Sequence, residues 1–447
     1  MTDDLLGLAR RAVDAAAAGE AVEAYATWGR ELSVRAYDGS AEHLSSAESR
    51  GVGVRLIADG RMGYAYAADP SPDEVASLVA AARENAVCAT PDEANVLPAP
   101  AGAEPLDGIY DPVIDSTPTP DKVEAALELE RLMRAADPRV KAIRFCDYRE
   151  VVAREAIAST TGIGVEAHVG ACYVLANPVV ADGDESQSGF AIRFARRPDV
   201  LDLEGGAEEA VDRARRLLGA RKPATERLPV ILDAEVAADL IGVVSQMVDA
   251  EEVLKGRSLL ASKLGEQVAS DVLTVSDDGR DIRSLAAAPF DEEGVPKTRT
   301  PVIERGVLRG FLHDTYTATR MQTSSTGNAS RAGFKSPPGV SPNCLVVEPG
   351  SISLEQLLTR APRALYVQEF QGLHSGVNPI SGDFSVGVTG LLVDGGAFGQ
   401  PVREATIASS LLDILQRVEA IGDDLLYQPS GVAAPTIMIG EMTVAGS

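Results

Sequence analysis

Residues 233–255, DAEVAADLIGVVSQMVDAEEVLK, decide how the second half of the chain is organised. Asp233 is placed to cap a helix N-terminus. Glu235 lies in the first turn, where the helix dipole favours a carboxylate. Val236, Leu240, Val244 and Met247 recur at helical spacing, with Ala237, Ile241 and Val248 beside them. The pattern predicts one amphipathic helix over 233–255. A polar, glycine-punctuated segment follows, from Lys255-Gly-Arg-Ser258 to Gly265-Glu-Gln-Val-Ala-Ser270.

Strand-like runs surround this helix. Residues 228–232 precede it, and 271–276, 302–305, 308–313, 343–347, 364–370, 384–394 and 434–444 follow, with turns at Asp278-Gly279, Arg305-Gly306 and Gly395-Gly396. A second helix is predicted over 406–420, with Leu411, Leu412, Ile414, Leu415 and Val418 inward. Pro223 and the polar residues 225–227 mark a boundary near 220–227. Before it, helices are predicted over 4–18, 73–87, 120–136 and 206–220. Strands are predicted over 21–37, 41–58, 61–67, 139–147, 149–158, 163–175 and 187–196. Asp59-Gly60 has the chemistry of a type I′ hairpin turn. Residues 88–119, rich in proline, read as a long crossing connection. Strands in runs with a few helices, without βαβ alternation, give an α+β class. The expected layout is an N-terminal domain (1–222) of antiparallel sheet with helices, and a C-terminal, strand-rich, barrel-like domain (223–447) with a few helices.

The chain has 447 residues, 45% of them hydrophobic, and a net charge of −25. That charge opposes binding to nucleic acid, which needs clustered Lys and Arg. Cys88, Cys146, Cys172 and Cys344 form no CxxC pair, so they read as free thiols in a reducing cytoplasm. The N-terminus lacks the pattern of a signal peptide, and no run of 18 apolar residues predicts a membrane span. The four histidines, His43, His168, His313 and His374, are never followed by Glu, which excludes every motif beginning His-Glu. A set drawn from His313, Asp314, His374 and Asp383 is what chance alone supplies. The nucleophile elbow, phosphate-binding loop and dinucleotide fingerprint are all missing. Two polar loops remain: Thr323–Ser330, containing Thr326, Gly327 and Asn328, and Gly376–Phe384, containing Asn378, Ser381 and Asp383. Turn chemistry explains both, and either can also meet a ligand.

The chain resembles the TldD/PmbA family along nearly its whole length. The resemblance rests on Gly51-Val-Gly-Val-Arg55, Lys255-Gly-Arg-Ser258, Gly265–Ser270, Asp277-Asp-Gly279, Asp291-Glu-Glu-Gly294 and Gly306–Gly310. It continues through Thr326-Gly-Asn328, Asn378–Phe384, Pro401-Val402 and Ile421–Asp424. In that family TldD-like subunits carry His-Glu-x-x-x-His on the helix matching 233–255, with a later cysteine completing a zinc site. TldE-like subunits keep the fold without the ligands. The corresponding positions here fall near Ile241, Gly242 and Gln246, with the cysteine position near Val388, and none can hold zinc. The resemblance therefore implies a TldE/PmbA-like, non-catalytic subunit with no metal or catalytic residue of its own. Zinc is expected in a TldD-like partner, joined as a heterodimer, while the chain alone can form a homodimer. Thr326, Gly327, Asn328, Asn378, Ser381 and Asp383 are its candidate substrate or partner contacts. The substrate is a peptide or an acylated small molecule, so an N-deacylase role in secondary metabolism stays open, as does an independent hydrolase with an atypical site. No nucleic acid or membrane is expected as a partner.

Overall fold

The computed structural model describes residues 4–446. Its first half is built on one antiparallel sheet of unusually long strands: β1 (Ala21–Tyr37), β2 (Ser40–Ala58), β3 (Arg61–Ala68), β4 (Val140–Ser159), β5 (Gly164–Asp182), β6 (Glu185–Ser188) and β7 (Ala191–Ala195). The order is β3-β2-β1-β4-β5-β6, with β7 also pairing β5. Two-residue turns with positive φ at both positions close the first hairpins, Asp38-Gly39 between β1 and β2 and Asp59-Gly60 between β2 and β3.

Side chains alternate between the faces of a strand, and here the alternation divides the sheet's work. On one face, Val22, Ala24 and Ala26 of β1 join Val52, Val54 and Leu56 of β2 beneath helices α1 (Leu5–Asp14) and α2 (Pro72–Val87). Further along the same face, Leu32, Val34 and Ala36 of β1 join Tyr148 and Val152 of β4. They lie beneath α3 (Val113–Ser116), α4 (Thr119–Ala136) and α5 (Leu203–Arg216). The opposite face, through Tyr25 and Ile157, packs on Phe290 of the second half.

The second half is a five-stranded barrel with a second sheet beside it. β8 (Glu226–Leu232) pairs in parallel with 363–371, which continues to 383–394 and 397–410. Strand 437–445 pairs with both 397–410 and β8 and so closes the ring. The second sheet runs in the order 307–308, 299–304, 275–278, 345–347, 432–434, 426–428. Between barrel and sheet lies α6 (Ala234–Val248), followed by α7 (Ala250–Leu254). Val236, Leu240, Val244 and Met247 are all buried, as their spacing requires. Burying each stabilises the fold by about 1.5–3 kcal/mol.

Several predicted boundaries are corrected. The helix expected over 233–255 breaks at Asp249, whose backbone is extended and whose Oδ1 accepts the amides of Glu251 and Glu252 as the cap of α7. The helix expected over 406–420 is a strand to Ser410, a short helix over Leu411–Gln416, and a strand over Val418–Ile421. Strands expected over 139–147 and 149–158 are one strand, β4, bent by register shifts near its start.

Candidate functional site

The two faces of α6 set the chemistry of this region. Asp233 caps it, accepting the Glu235 amide at 3.1 Å and holding Tyr366 through its other oxygen. Arg213 of α5 reaches the same end, 3.2 Å from Asp233 and 2.8 Å from Glu235, and donates to the Gln368 carbonyl. The buried face is wholly apolar. The open face carries Glu235, Asp239, Gly242 and Gln246, a stripe at helical spacing. Where a side chain on Gly242 would project there is open space.

The first turns of this face form one wall of a cleft of about 550 Å³. Gln368, Glu369 and Phe370 form the second wall, and Asn177 with 188–190 of the first sheet the third. Consecutive strand residues ordinarily point to opposite faces. A register shift between Val367 and Glu369 is what lets Gln368 and Glu369 line the same cleft. Burial pushes the Glu235 carboxyl up to about 7, with Arg213 opposing it. Burial also raises the carboxyls of Asp239 and Glu369, although both reach solvent at the mouth. In Glu369 the distant charges of Arg213 and Arg144 work the other way.

The loop residues singled out in the sequence fall into two separate networks. Asn328 is buried and donates to Asp277 at 2.7 Å, and Thr326 donates to Asn328 at 2.7 Å. Gly327 has φ +75° and packs on the Pro296 carbonyl, and its own carbonyl accepts from Asn343. These three residues hold the interior together, while the adjoining Ala329 and Ser330 line a cavity. Asn378, Ser381 and Asp383 are exposed. Asn378 Oδ1 accepts the amides of Ile380 and Ser381, and Ser381 donates to Asp383 at 2.6 Å. No hydrogen bond joins the two groups among the described residues. His313 and Asp314 are buried, the latter capping the helix over Thr315–Arg320, whereas His374 and Asp383 are exposed. Among the described residues no three His, Cys, Asp or Glu side chains are gathered closely enough to hold a metal ion.

The sequence did not reveal the junction between the halves. Arg55 of β2 lies 2.7 Å from both Glu23 of β1 and Glu293, and Arg331 pairs with the other oxygen of Glu23, all four being buried. Burial works to raise the Glu293 carboxyl, but Arg55 and the hydrogen bond from the Thr315 amide hold it below its ordinary value. Beside this network a cavity of about 780 Å³ lies between the sheet and the 285–297 segment, with Tyr25, Glu155, Glu292 and Lys297 in its wall. Tyr25 donates to Glu155 at 3.1 Å. Burial, then the charge of Glu155, pushes Glu292 up to about 7. This cavity and the cleft over α6 share Pro429 and Ser430.

Three segments match family models in succession: the PmbA/TldA metallopeptidase domain 1 over 22–86, the central domain over 112–218 and the C-terminal domain over 225–446. The chain belongs to the PmbA/TldD family. Metalloprotease PmbA of Escherichia coli O157:H7 is 27% identical, aligned over 93% of this chain and 90% of its own. A structure from Thermotoga maritima MSB8, described as a proposed modulator of a DNA gyrase, superposes with a TM-score of 0.89 at 27% identity, covering 99% of each chain. TldE from Thermococcus kodakarensis superposes with a TM-score of 0.88 at 25% identity, covering 98% of this chain and 99% of its own. The PmbA/TldD family thus accounts for the whole fold, barrel included.

The metallopeptidase description raises the question of zinc, which binds His, Cys, Asp and Glu. The residues here do not fit it. Of the positions matching the family's ligands, Ile241 is in the core and Gln246 at the surface, as about 140° of helical rotation requires. Gly242 offers no donor, and Val388 is buried in the barrel. The conclusion survives a shift of register, because α6 contains neither His nor Cys, and its carboxylates Glu235 and Asp239 belong to no group of three ligating side chains among the described residues.

Proposed function

We propose that this chain is the non-catalytic, TldE/PmbA-like subunit of a two-subunit zinc metallopeptidase or amide hydrolase of the cytoplasm. A TldD-like partner supplies zinc and the general base. The observation that carries the reading is α6, which keeps its packing face intact and has Ile241, Gly242 and Gln246, none of them able to bind zinc, at the positions matching the family's ligands. The cleft over that helix suits a second role, holding a peptide so that its amide meets the partner's metal. Such a contribution works through orientation and exclusion of water. No helix among the described residues is long and apolar enough to cross a membrane.

The test is to purify the chain alone and together with a TldD-like protein of the same organism, then measure zinc and amide hydrolysis. The expected result is co-purification, zinc at one ion per pair, and hydrolysis by the pair alone. Stoichiometric zinc and turnover by the isolated chain would overturn the reading.

A further inference from the structure

The cleft over α6 carries an excess of hydrogen-bond acceptors that the fold does not use. Asn177 and Gln368 are 7% and 5% exposed, and both line it. Asn177 donates to the Gly189 carbonyl at 2.8 Å, which fixes the orientation of its amide, and the Gln368 amide nitrogen faces the Arg213 carbonyl at 3.5 Å. The opposite ends, Asn177 Oδ1 and Gln368 Oε1, are buried without a hydrogen-bond partner among the described residues. Leaving such an oxygen unpaired is unfavourable, because its lost hydration is not replaced. Asp239 and Glu369 lie in the same walls and make no hydrogen bond or ion pair among the described residues. The cation of the cleft, Arg213, is already committed to Glu209, Asp233 and Glu235. Among the described residues lining the cleft, one unpaired donor, Gln428 Nε2, stands against four acceptor groups.

We propose that this cleft binds a basic side chain of a peptide, its ammonium or guanidinium held by Asp239, Glu369 and the amide oxygens of Asn177 and Gln368. The ligand being a peptide rests on the subunit reading above; the cation site rests on the cleft alone. An organic cation fits better than a metal ion, because among the described residues no three His, Cys, Asp or Glu side chains are gathered to hold one. Basic side chains present several diverging donors, which suits separated acceptors. The volume of about 550 Å³ falls within the range of small-ligand sites, about 300–1,000 Å³.

Isothermal titration calorimetry of the full chain tests this. The probes are acetyl-Ala-Ala-Lys-Ala-Ala-amide, its arginine counterpart and its norleucine counterpart. The basic peptides are expected to bind at least about tenfold more tightly than the norleucine peptide, a difference that added salt reduces. In Asp239→Asn/Glu369→Gln the preference is expected to vanish without a fall in the unfolding temperature, since neither carboxylate makes a hydrogen bond or ion pair among the described residues and burial disfavours the charge of both. Equal affinities, no binding of the basic peptides by about 10 mM, or a preference that survives in the double variant would overturn the proposal. Calcium binding that these substitutions abolish would overturn it in favour of a metal. A chain that pairs with a TldD-like protein yet ignores basic peptides overturns this proposal alone. One that binds them and never pairs overturns the subunit reading and leaves the cation site standing.

Discussion

Replacing Arg55 by Met tests whether the junction between the two halves is held by charge. Met keeps an apolar stem of similar length and removes the guanidinium. Arg55 is 6% exposed and stands 2.7 Å from an oxygen of Glu23 and 2.7 Å from one of Glu293. At an effective dielectric of about 20, each contact at 2.7 Å attracts by about 6 kcal/mol. Much of that only offsets the cost of burying the ions. Removing one partner of such a pair costs about 3–5 kcal/mol, because the other charge stays buried. Glu23 keeps Arg331, whereas Glu293 keeps only the Thr315 amide at 2.9 Å. Glu293 therefore bears the loss. An unfolding entropy of about 2.1 cal/mol/K per residue translates it into about 3–5 °C of Tm, if the chain unfolds as one unit.

The pH dependence carries the sharper signature. In the native chain Glu293 is held below its ordinary value, so its contribution is present at neutral pH and lost as pH falls through that lowered value. In Arg55→Met its folded value rises above the unfolded one. The penalty is then absent at low pH and grows as pH rises through the raised value. Differential scanning calorimetry should show a larger deficit at pH 7.5 than at pH 5. Adding Glu293→Gln to Arg55→Met should recover more than half the loss. A deficit that is the same at both pH values and additive in the double variant would refute the electrostatic account and leave lost packing as the cause.

Two further outcomes follow from single residues. Asp277 accepts backbone amides of Asn343 and Cys344 at 2.8 Å each, and side-chain amides of Asn328 at 2.7 Å and Asn343 at 3.1 Å. Asp277→Ala should cost at least about 4 kcal/mol by stranding four buried donor contacts, with amide exchange rising first over 326–344; unchanged exchange there would contradict the role given to Asp277. Glu235, raised to about 7 by burial against the pull of Arg213, binds its proton more tightly folded than unfolded. Its stabilisation is therefore present below about pH 4.3 and lost as pH rises through about 7. Glu235→Gln should flatten the decline in stability between those values, and an unaltered pH profile would show that the Arg213 pair dominates.

What the sequence made legible depends on how local the signal is. The apolar spacing in α6 is a property of fifteen adjacent residues, and the helix buries the side chains that spacing selects. Asp59-Gly60 needs only two residues to specify its turn. The break at Asp249 was hidden because apolar and acidic residues continue in helical rhythm on both sides, and only a side-chain cap interrupts them. The 406–420 segment misled for the opposite reason. Leu411, Ile414 and Leu415 do follow helical spacing, but for a helix of six residues, and barrel closure fixes the flanks as strands. The cleft was illegible because Asn177, Asp239, Gln368 and Glu369 come from three distant segments, and a bulge re-aims the last two. Only the Glu235–Asp239 pair on one helix face could have signalled it.

The long sheet has a consequence for what counts as a unit in this chain. The first two family segments, 22–86 and 112–218, look like separate modules along the sequence. In space β1 belongs to one and β4 to the other, and they are laced together over thirteen consecutive residue pairs. Neither segment owns a complete sheet, and cutting between them would expose the inner edge of each. The units by which relatives are recognised are thus lengths of inherited text, while the object that folds spans both. Insertions and exchanges among relatives are best tolerated at the exposed residues 99–102 of the proline-rich connection, whose flanks are buried or hydrogen-bonded to the strands, and least at the β1–β4 seam, where two inherited pieces share one set of hydrogen bonds.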